Sequence, residues 1–165
     1  MTALLRPRPI HLAVFLTCAA LMAFGLYLQH AEGLEPCPLC ILQRYAFVVS
    51  GVIALVAAIH GPGRIGAWIY GFLLVLAAGT GAGIAGRQTW LQHNPPKSAS
   101  CGADLETLIE NFPLSQALPK IFAGTGDCAV VTWRFLGLSI AEWSLVWFAI
   151  FLAITVWIGF IRRTE

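Results

Sequence analysis

Charge is scarce in this sequence. Only 11% of its 165 residues are Asp, Glu, Lys or Arg, whereas 58% are hydrophobic. Soluble domains carry about 25% charged and about 45–50% apolar residues, so a surface that faces water all round is excluded. Four stretches hold no charge at all: Pro9–Ala31, Tyr45–Gly63, Ile65–Gly86 and Trp143–Ile161. A helix of about 20 apolar residues crosses roughly 30 Å of hydrocarbon. One such helix can hide in a soluble core, but four leave too little polar sequence to cover them. The expected fold class is therefore an all-α membrane protein, a four-transmembrane-helix bundle forming one integral domain over residues 1–165. The spans are expected near 10–29, 41–60, 65–87 and 143–161, with outer loops near 30–40 and 88–142.

Basic clusters are missing as well. The net charge is +2, and no aromatic-basic platform accompanies it, so nucleic acid is excluded as a partner. Charges deep inside the spans are nearly absent, which argues against a transporter. No internal repeat or low-complexity tract is present. The apolar run Ile10–Leu28 is longer than a signal core of about 7–15 residues, so the first helix is expected to stay in place.

Lys and Arg are also missing from the loop Gln29–Cys40, and acids outnumber bases in Arg87–Glu142. Arg6, Arg8, Arg64, Arg162 and Arg163 gather on the opposite side. Lys and Arg favour the cytoplasmic side of short loops, so both termini are expected there and both larger loops outside. The long outer segment is expected to hold short helices at Ala103–Asn111 and Leu114–Phe122. Its end, Val130–Ile140, mixes aromatic and aliphatic residues as an interfacial segment does. In the third span Gly79, Gly83 and Gly86 recur at a spacing that suits close helix packing.

Five cysteines are present. Cys18 falls mid-helix among apolar residues and is expected to be inert. Cys37, Cys40, Cys101 and Cys128 all fall on the outer side, which is oxidising at a bacterial inner membrane. Four cysteines allow three pairings. Cys37 and Cys40 flank a helix start in a Cys-x-x-Cys spacing typical of thiol–disulfide exchange. Cys101 and Cys128 then remain as partners across a mobile, polar loop. A metal is not expected, because a structural zinc site usually offers two compact knuckles and only one exists here. Plain structural disulfides are the other reading. Closing the Cys101–Cys128 loop would contribute roughly 3–4 kcal/mol, but a ring as small as Cys37–Cys40 gains little that way.

Arg44 lies four residues after Cys40, one turn deeper on the same helix face. An intramembrane charge is a functional residue by default. A guanidinium and a helix N-terminus both favour a thiolate at Cys40. Snorkelling to the headgroups is the bland alternative for so long a side chain.

The run Pro36-Cys37-Pro38-Leu39-Cys40-Ile41-Leu42-Gln43-Arg44 resembles the signature of the disulfide bond formation protein B family (DsbB). So do Ser100-Cys101-Gly102, Gly124-Thr125-Gly126-Asp127-Cys128, and Trp133-Arg134-Phe135-Leu136-Gly137-Leu138 before Glu142-Trp143. The resemblance covers essentially the whole chain. It implies a thiol:quinone oxidoreductase that oxidises a soluble periplasmic thioredoxin-like partner, DsbA, and reduces ubiquinone or menaquinone. Under the resemblance Cys101 and Cys128 exchange with the partner, while Cys37 and Cys40 adjoin the quinone. Cys40 is then the cysteine that meets the quinone ring, and Arg44 assists it. Some family members carry a His where this chain has Gln88, and Gln92 is a weaker candidate for a quinone contact.

A quinone also answers an energetic need. A DsbA-type partner is poised near about −120 mV and a glutaredoxin-like dithiol near about −200 to −230 mV. Transfer across a gap of about 80 mV is uphill by nearly ~4 kcal/mol, which an oxidising lipid quinone offsets. Two alternatives stay open at the level of sequence: a disulfide-stapled structural membrane subunit, and a specialised paralogue with a narrower thiol substrate.

Overall fold

The computed structural model describes residues 7–34, 36–95 and 126–164. Cys101 and the two expected short helices, Ala103–Asn111 and Leu114–Phe122, lie outside the described residues. In chain order the elements are α1 (Pro7–Ala31), α2 (Pro38–His60), α3 (Arg64–His93), α4 (Gly126–Ala129), β1 (Arg134–Phe135), β2 (Leu138–Ser139) and α5 (Ile140–Thr164). Four helices are long and apolar enough to cross a membrane, over Arg8–Ala31, Pro38–His60, Arg64–His93 and Ile140–Ile158. This is the four-helix bundle that the uncharged stretches require.

Local chemistry sets the helix ends. Pro38 opens α2, where its missing N–H costs nothing. Gly61 closes α2 with φ +56° and donates its N–H to the Ala57 carbonyl at 3.0 Å, a left-handed cap suited to glycine. Asn94 ends α3 by donating its N–H to Trp90 O at 2.9 Å. At the start of α5, Ser139 and Glu142 form a reciprocal capping box. The Ser139 N–H donates to Glu142 Oε2 at 2.7 Å, and the Glu142 N–H donates to Ser139 Oγ at 3.3 Å. Glu142 thus lies inside the first turn of α5, and the helix begins ahead of Trp143.

Helix α1 packs on α2, α2 on α3, and α3 on α5. The core centres on Phe148, fully buried and stacked on Phe47 with ring centroids 4.1 Å apart. The glycine that permits this is Gly81: a Cβ there would overlap the Phe148 ring. Gly79, Gly83 and Gly86, which spacing singles out, have nothing within 4 Å of a Cβ position. Spacing identifies a row of small residues but not which one meets a neighbour. On the second contact, Gly51 receives Cys18, whose Cβ is 3.1 Å from the glycine's Cβ position. Outside the core, Ile59, Ile65 and Phe72 expose 74%, 80% and 63% of their surface. Such exposure suits hydrocarbon and not water.

The segment expected to lie in the interface folds as a β-hairpin before α5. Arg134 pairs with Ser139 and Phe135 with Leu138, antiparallel. Leu136 (φ +53°) and Gly137 (φ +84°) form the two-residue turn, the conformation that matches strand twist in hairpins. The hairpin stacks Trp133 on Phe135 at 6.0 Å and sets Trp133 edge-on to Phe24 of α1 at 5.7 Å. Trp143 Nε1 donates to the Phe135 carbonyl at 3.0 Å, tying the hairpin to α5.

Candidate active site

Cys37 is the N-cap of α2, extended at φ −67°, ψ 162°. Its Sγ accepts from the Cys40 N–H at 3.4 Å and lies 2.8 Å from Cys40 Sγ. The Cys-x-x-Cys spacing therefore wraps one helical turn and brings both sulfurs to the same corner, with Cys40 in the first turn. Free N–H groups and the helix dipole favour negative charge at that end.

Cys128 joins them from far along the chain. It is fully buried in α4 and clusters with Leu39, Ile84 and Leu91, against which Cys37 and Leu42 also pack. Hydrogen bonding with Cys128, then with Cys40, together with burial, pushes the Cys37 thiol up from its ordinary value. Cys18, Cys37 and Cys40 are free thiols in this structure. The mobile, polar setting expected for Cys128 is replaced by an apolar seat beside Cys37. Its expected partner, Cys101, lies outside the described residues.

Cys40 faces two ways. On one side is a cavity of about 610 Å³, lined among others by Phe24, Gln29, Cys40, Gln43, Arg44 and Trp133. Phe47, Phe135, Trp143 and Trp147 complete an aromatic wall. Such a volume lies within the ordinary range of small-molecule sites, about 300–1,000 Å³. On the other side is Gln88 of α3. Its Nε2 donates to Cys40 Sγ at 3.1 Å and to Cys37 Sγ at 3.4 Å, and its Oε1 accepts from Gln43 Nε2. A second cavity, about 370 Å³, lies at the far end of the bundle between Arg8, Trp68 and Ile154, and contains no cysteine.

Arg44 lies in the cavity wall with Cys40. Its guanidinium donates through Nη1 to Gln29 Oε1 at 2.6 Å and through Nη2 to Gly25 O at 3.2 Å, both on α1. Gln92 is placed elsewhere: it accepts from Ser139 Oγ at 2.7 Å at the junction of α3 and α5 and is not among the cavity's lining residues. A quinone contact from Gln92 has no support in this geometry. Cys18 is buried in the main core, away from the other thiols.

Sequence reasoning missed Gln43 and left Gln88 without a role. One signal was available for the first. Gln43 lies three residues after Cys40, hence on the same helix face, and it is a polar side chain beside an uncharged span.

The donor set fits a quinone. The cavity lining carries a thiol, two amides, a guanidinium and the hydroxyl residues Thr132 and Ser144; the rest is aromatic and aliphatic. A flat carbonyl-bearing ring needs polar groups at its edge and apolar groups at its faces.

Comparison with known proteins agrees with the residue-level reading. A family model described as "Disulfide bond formation protein DsbB" matches residues 7–158. Among relatives named "Disulfide bond formation protein B", one from Azoarcus sp. (strain BH72) is 56% identical over 158 residues, covering 96% of this chain and 95% of its own length. Another, from Aromatoleum aromaticum, is 59% identical over 139 residues, covering 84% of each chain. A third, from Acidovorax sp. (strain JS42), is 51% identical over 146 residues, covering 88% of this chain and 83% of its own. The four apolar helices make the chain an integral membrane protein, and it belongs to the disulfide bond formation protein B (DsbB) family.

Proposed function

We propose that the chain is a dithiol:quinone oxidoreductase of the bacterial inner membrane that reoxidises a DsbA-type periplasmic partner. The observation that carries this reading is the meeting of three cysteines at the wall of an aromatic cavity, with Cys40 alone among them lining it. Both termini face the cytoplasm and the cysteine-bearing loops face the periplasm, as the distribution of Lys and Arg favours.

The partner's dithiol reduces a Cys101–Cys128 disulfide, which releases Cys128. The Cys128 thiolate, in contact with Cys37, then attacks Cys37 Sγ of a Cys37–Cys40 disulfide. A Cys37–Cys128 bond forms, the Cys37–Cys40 bond breaks, and the electron pair departs on Cys40. Cys101 then attacks Cys128, which re-forms the Cys101–Cys128 bond and releases Cys37, so that the reduced Cys37/Cys40 pair holds the two electrons taken from the partner. Cys40 is the sulfur that reaches the cavity, so its electron pair is the one available there. Arg44, Gln29 and Gln43 supply the polar edge of the site, and Phe24, Phe47, Trp133 and Trp147 its faces. A bound ubiquinone or menaquinone would take up two electrons and two protons, which balances oxidation of one partner dithiol to a disulfide. The aromatic wall lowers the polarity of the cavity and strengthens the charge interactions of Arg44.

The deciding experiment uses the full chain in lipid. A reduced thioredoxin-like dithiol protein is mixed with a soluble quinone analogue, and quinone absorbance is followed alongside free thiols. Equal loss of quinone and of partner dithiol is expected. A chain that consumes neither is a stapled structural subunit. A chain that oxidises only some dithiol substrates is a specialised paralogue.

A further inference from the structure

Two glutamines adjoin the reactive pair, each only 3% exposed. A buried amide is costly unless its polar atoms find partners, and these find each other and the sulfurs. Gln43 Nε2 donates to Gln88 Oε1, and Gln88 Nε2 donates to Cys40 Sγ at 3.1 Å and Cys37 Sγ at 3.4 Å. The first bond fixes the second. With its oxygen occupied by an N–H, Gln88 has only its NH₂ end to offer the sulfurs. Two adjacent thiols share at most one negative charge comfortably, because the second ionisation meets the first. An N–H donor that lies closer to Cys40 Sγ than to Cys37 Sγ biases where that charge rests.

We propose that Gln88, oriented by Gln43, is a positioning residue that steadies the negative charge on Cys40 when the Cys37–Cys40 bond opens, and thereby makes this pair a stronger oxidant. The inference rests on the electron path proposed above and names what sets its direction. As the Cys128–Cys37 bond forms, the displaced electron pair stays on Cys40, and the Gln88 N–H meets it there. A disulfide becomes more oxidising when its reduced form is stabilised. The donor is an amide, which gains or loses no proton in the working range, so it is present at every pH. Among the described residues, the titratable and charged groups near Cys40 are Cys37 beside its own turn, Cys128 of α4, and Arg44 along the cavity wall. None of them belongs to α3, from which Gln88 reaches in.

The test uses the full-length chain in lipid and two readouts that need no quinone. Alkylation of Cys40 in the reduced protein is followed against pH by mass spectrometry. The Cys37–Cys40 equilibrium is measured against a thiol redox buffer. In Gln88→Leu the alkylation profile moves to higher pH by about one to two units, the loss expected for a hydrogen bond to a charged group. The equilibrium shifts roughly tenfold toward the disulfide, which is about 30 mV. Gln88→Glu, nearly the same shape, gives the same direction because an ionised carboxylate cannot donate. Gln43→Glu does so with Gln88 intact, by removing the N–H that orients it. Gln88→His becomes a charged donor through both ring nitrogens below about pH 6.5 and introduces a new inflection there. Unchanged profiles and potentials in folded Gln88→Glu and Gln43→Glu proteins would overturn the proposal. Failure of the wild-type chain to reduce a quinone analogue would instead sink the electron path and leave these two measurements standing.

Discussion

Arg44 Nη1 donates to Gln29 Oε1 at 2.6 Å, which joins α2 to the last turns of α1. Its Nη2 reaches the Gly25 carbonyl at 3.2 Å. Both acceptors are neutral oxygens of α1, so α1 holds the guanidinium without a carboxylate. These two bonds place the guanidinium at the cavity wall.

The first prediction follows from that placement. Arg44→Met lowers quinone turnover or raises the quinone Michaelis constant by about 10- to 150-fold, the loss of a charge-assisted hydrogen bond of roughly 1.5–3 kcal/mol. Lys restores part of it, lacking the planar fork. Gln29→Ala frees the guanidinium and gives a smaller loss in the same direction. Thiol exchange at Cys128 stays near wild type. Steady-state quinone kinetics in one membrane preparation provide the measurement, and equal constants for wild type and Arg44→Met would reduce Arg44 to a link between α1 and α2.

A second prediction concerns packing. Gly81→Ala pushes a methyl into the Phe148 ring, which is itself stacked on Phe47. Overpacking of this kind costs about 1–3 kcal/mol. Gly79→Ala meets nothing within 4 Å and keeps full stability. Cys18→Ala removes a small buried group from the main core, so turnover stays within twofold of wild type. Thermal unfolding of the three variants in detergent should rank Gly81→Ala clearly lowest. Loss at Gly79→Ala equal to that at Gly81→Ala would mean that α3 presents a different face to α5.

How much of this was legible beforehand depends on the range of each signal. The four spans needed only composition, because hydrocarbon rejects charge wherever it falls. The Cys37–Cys40 turn was legible from spacing, since both residues share one helix start. The contact of Cys128 with Cys37 was not, because nothing local encodes which distant sulfur folds back. Gln88 and Gln43 failed for a related reason. Each is one polar residue on a helix, and only the register of α2 against α3 turns them into a pair. The capping box of Ser139 and Glu142 could have been read, but a search for uncharged runs starts the last span at Trp143 and passes over it. For Gly81 the spacing rule pointed to its neighbours, because the decisive partner is a ring on another helix.

A third prediction tests the seat of Cys128. Reduced, folded protein in sealed spheroplasts is treated with a membrane-impermeant maleimide. Cys37 and Cys40 are half-buried while Cys128 is fully buried, so Cys128 labels at least tenfold more slowly than in the same protein after unfolding in denaturant. Labelling of Cys37 from the periplasmic side also checks the orientation drawn from Lys and Arg. Reaction of Cys37 only after the membranes are opened would reverse that orientation. Immediate reaction of Cys128 in the folded protein would show that α4 does not stay against α2 and α3.

The final prediction separates the two cysteine pairs. If electrons enter at Cys101 and Cys128 and leave at Cys40, each pair can fail alone. Cys101→Ser removes the residue proposed to meet the partner, so oxidation of the partner dithiol stops. The Cys37–Cys40 disulfide still forms when a quinone is supplied, because neither sulfur nor any cavity residue has changed. Cys128→Ser also blocks the partner, and it adds a second effect. Cys128 is the largest influence that raises the Cys37 thiol. A serine hydroxyl does not ionise in the working range and so cannot oppose a Cys37 thiolate by like charge, and Cys37 in this variant ionises at lower pH than in wild type. Its alkylation profile moves down, whereas Cys101→Ser leaves that profile in place. Trapping with a thiol reagent at intervals after quinone addition, followed by peptide mass spectrometry, reads the state of each pair separately. If Cys101→Ser abolished disulfide formation at Cys37–Cys40 as completely as partner oxidation, the four cysteines would act as one undivided site, and the relay through Cys128 would have to be abandoned.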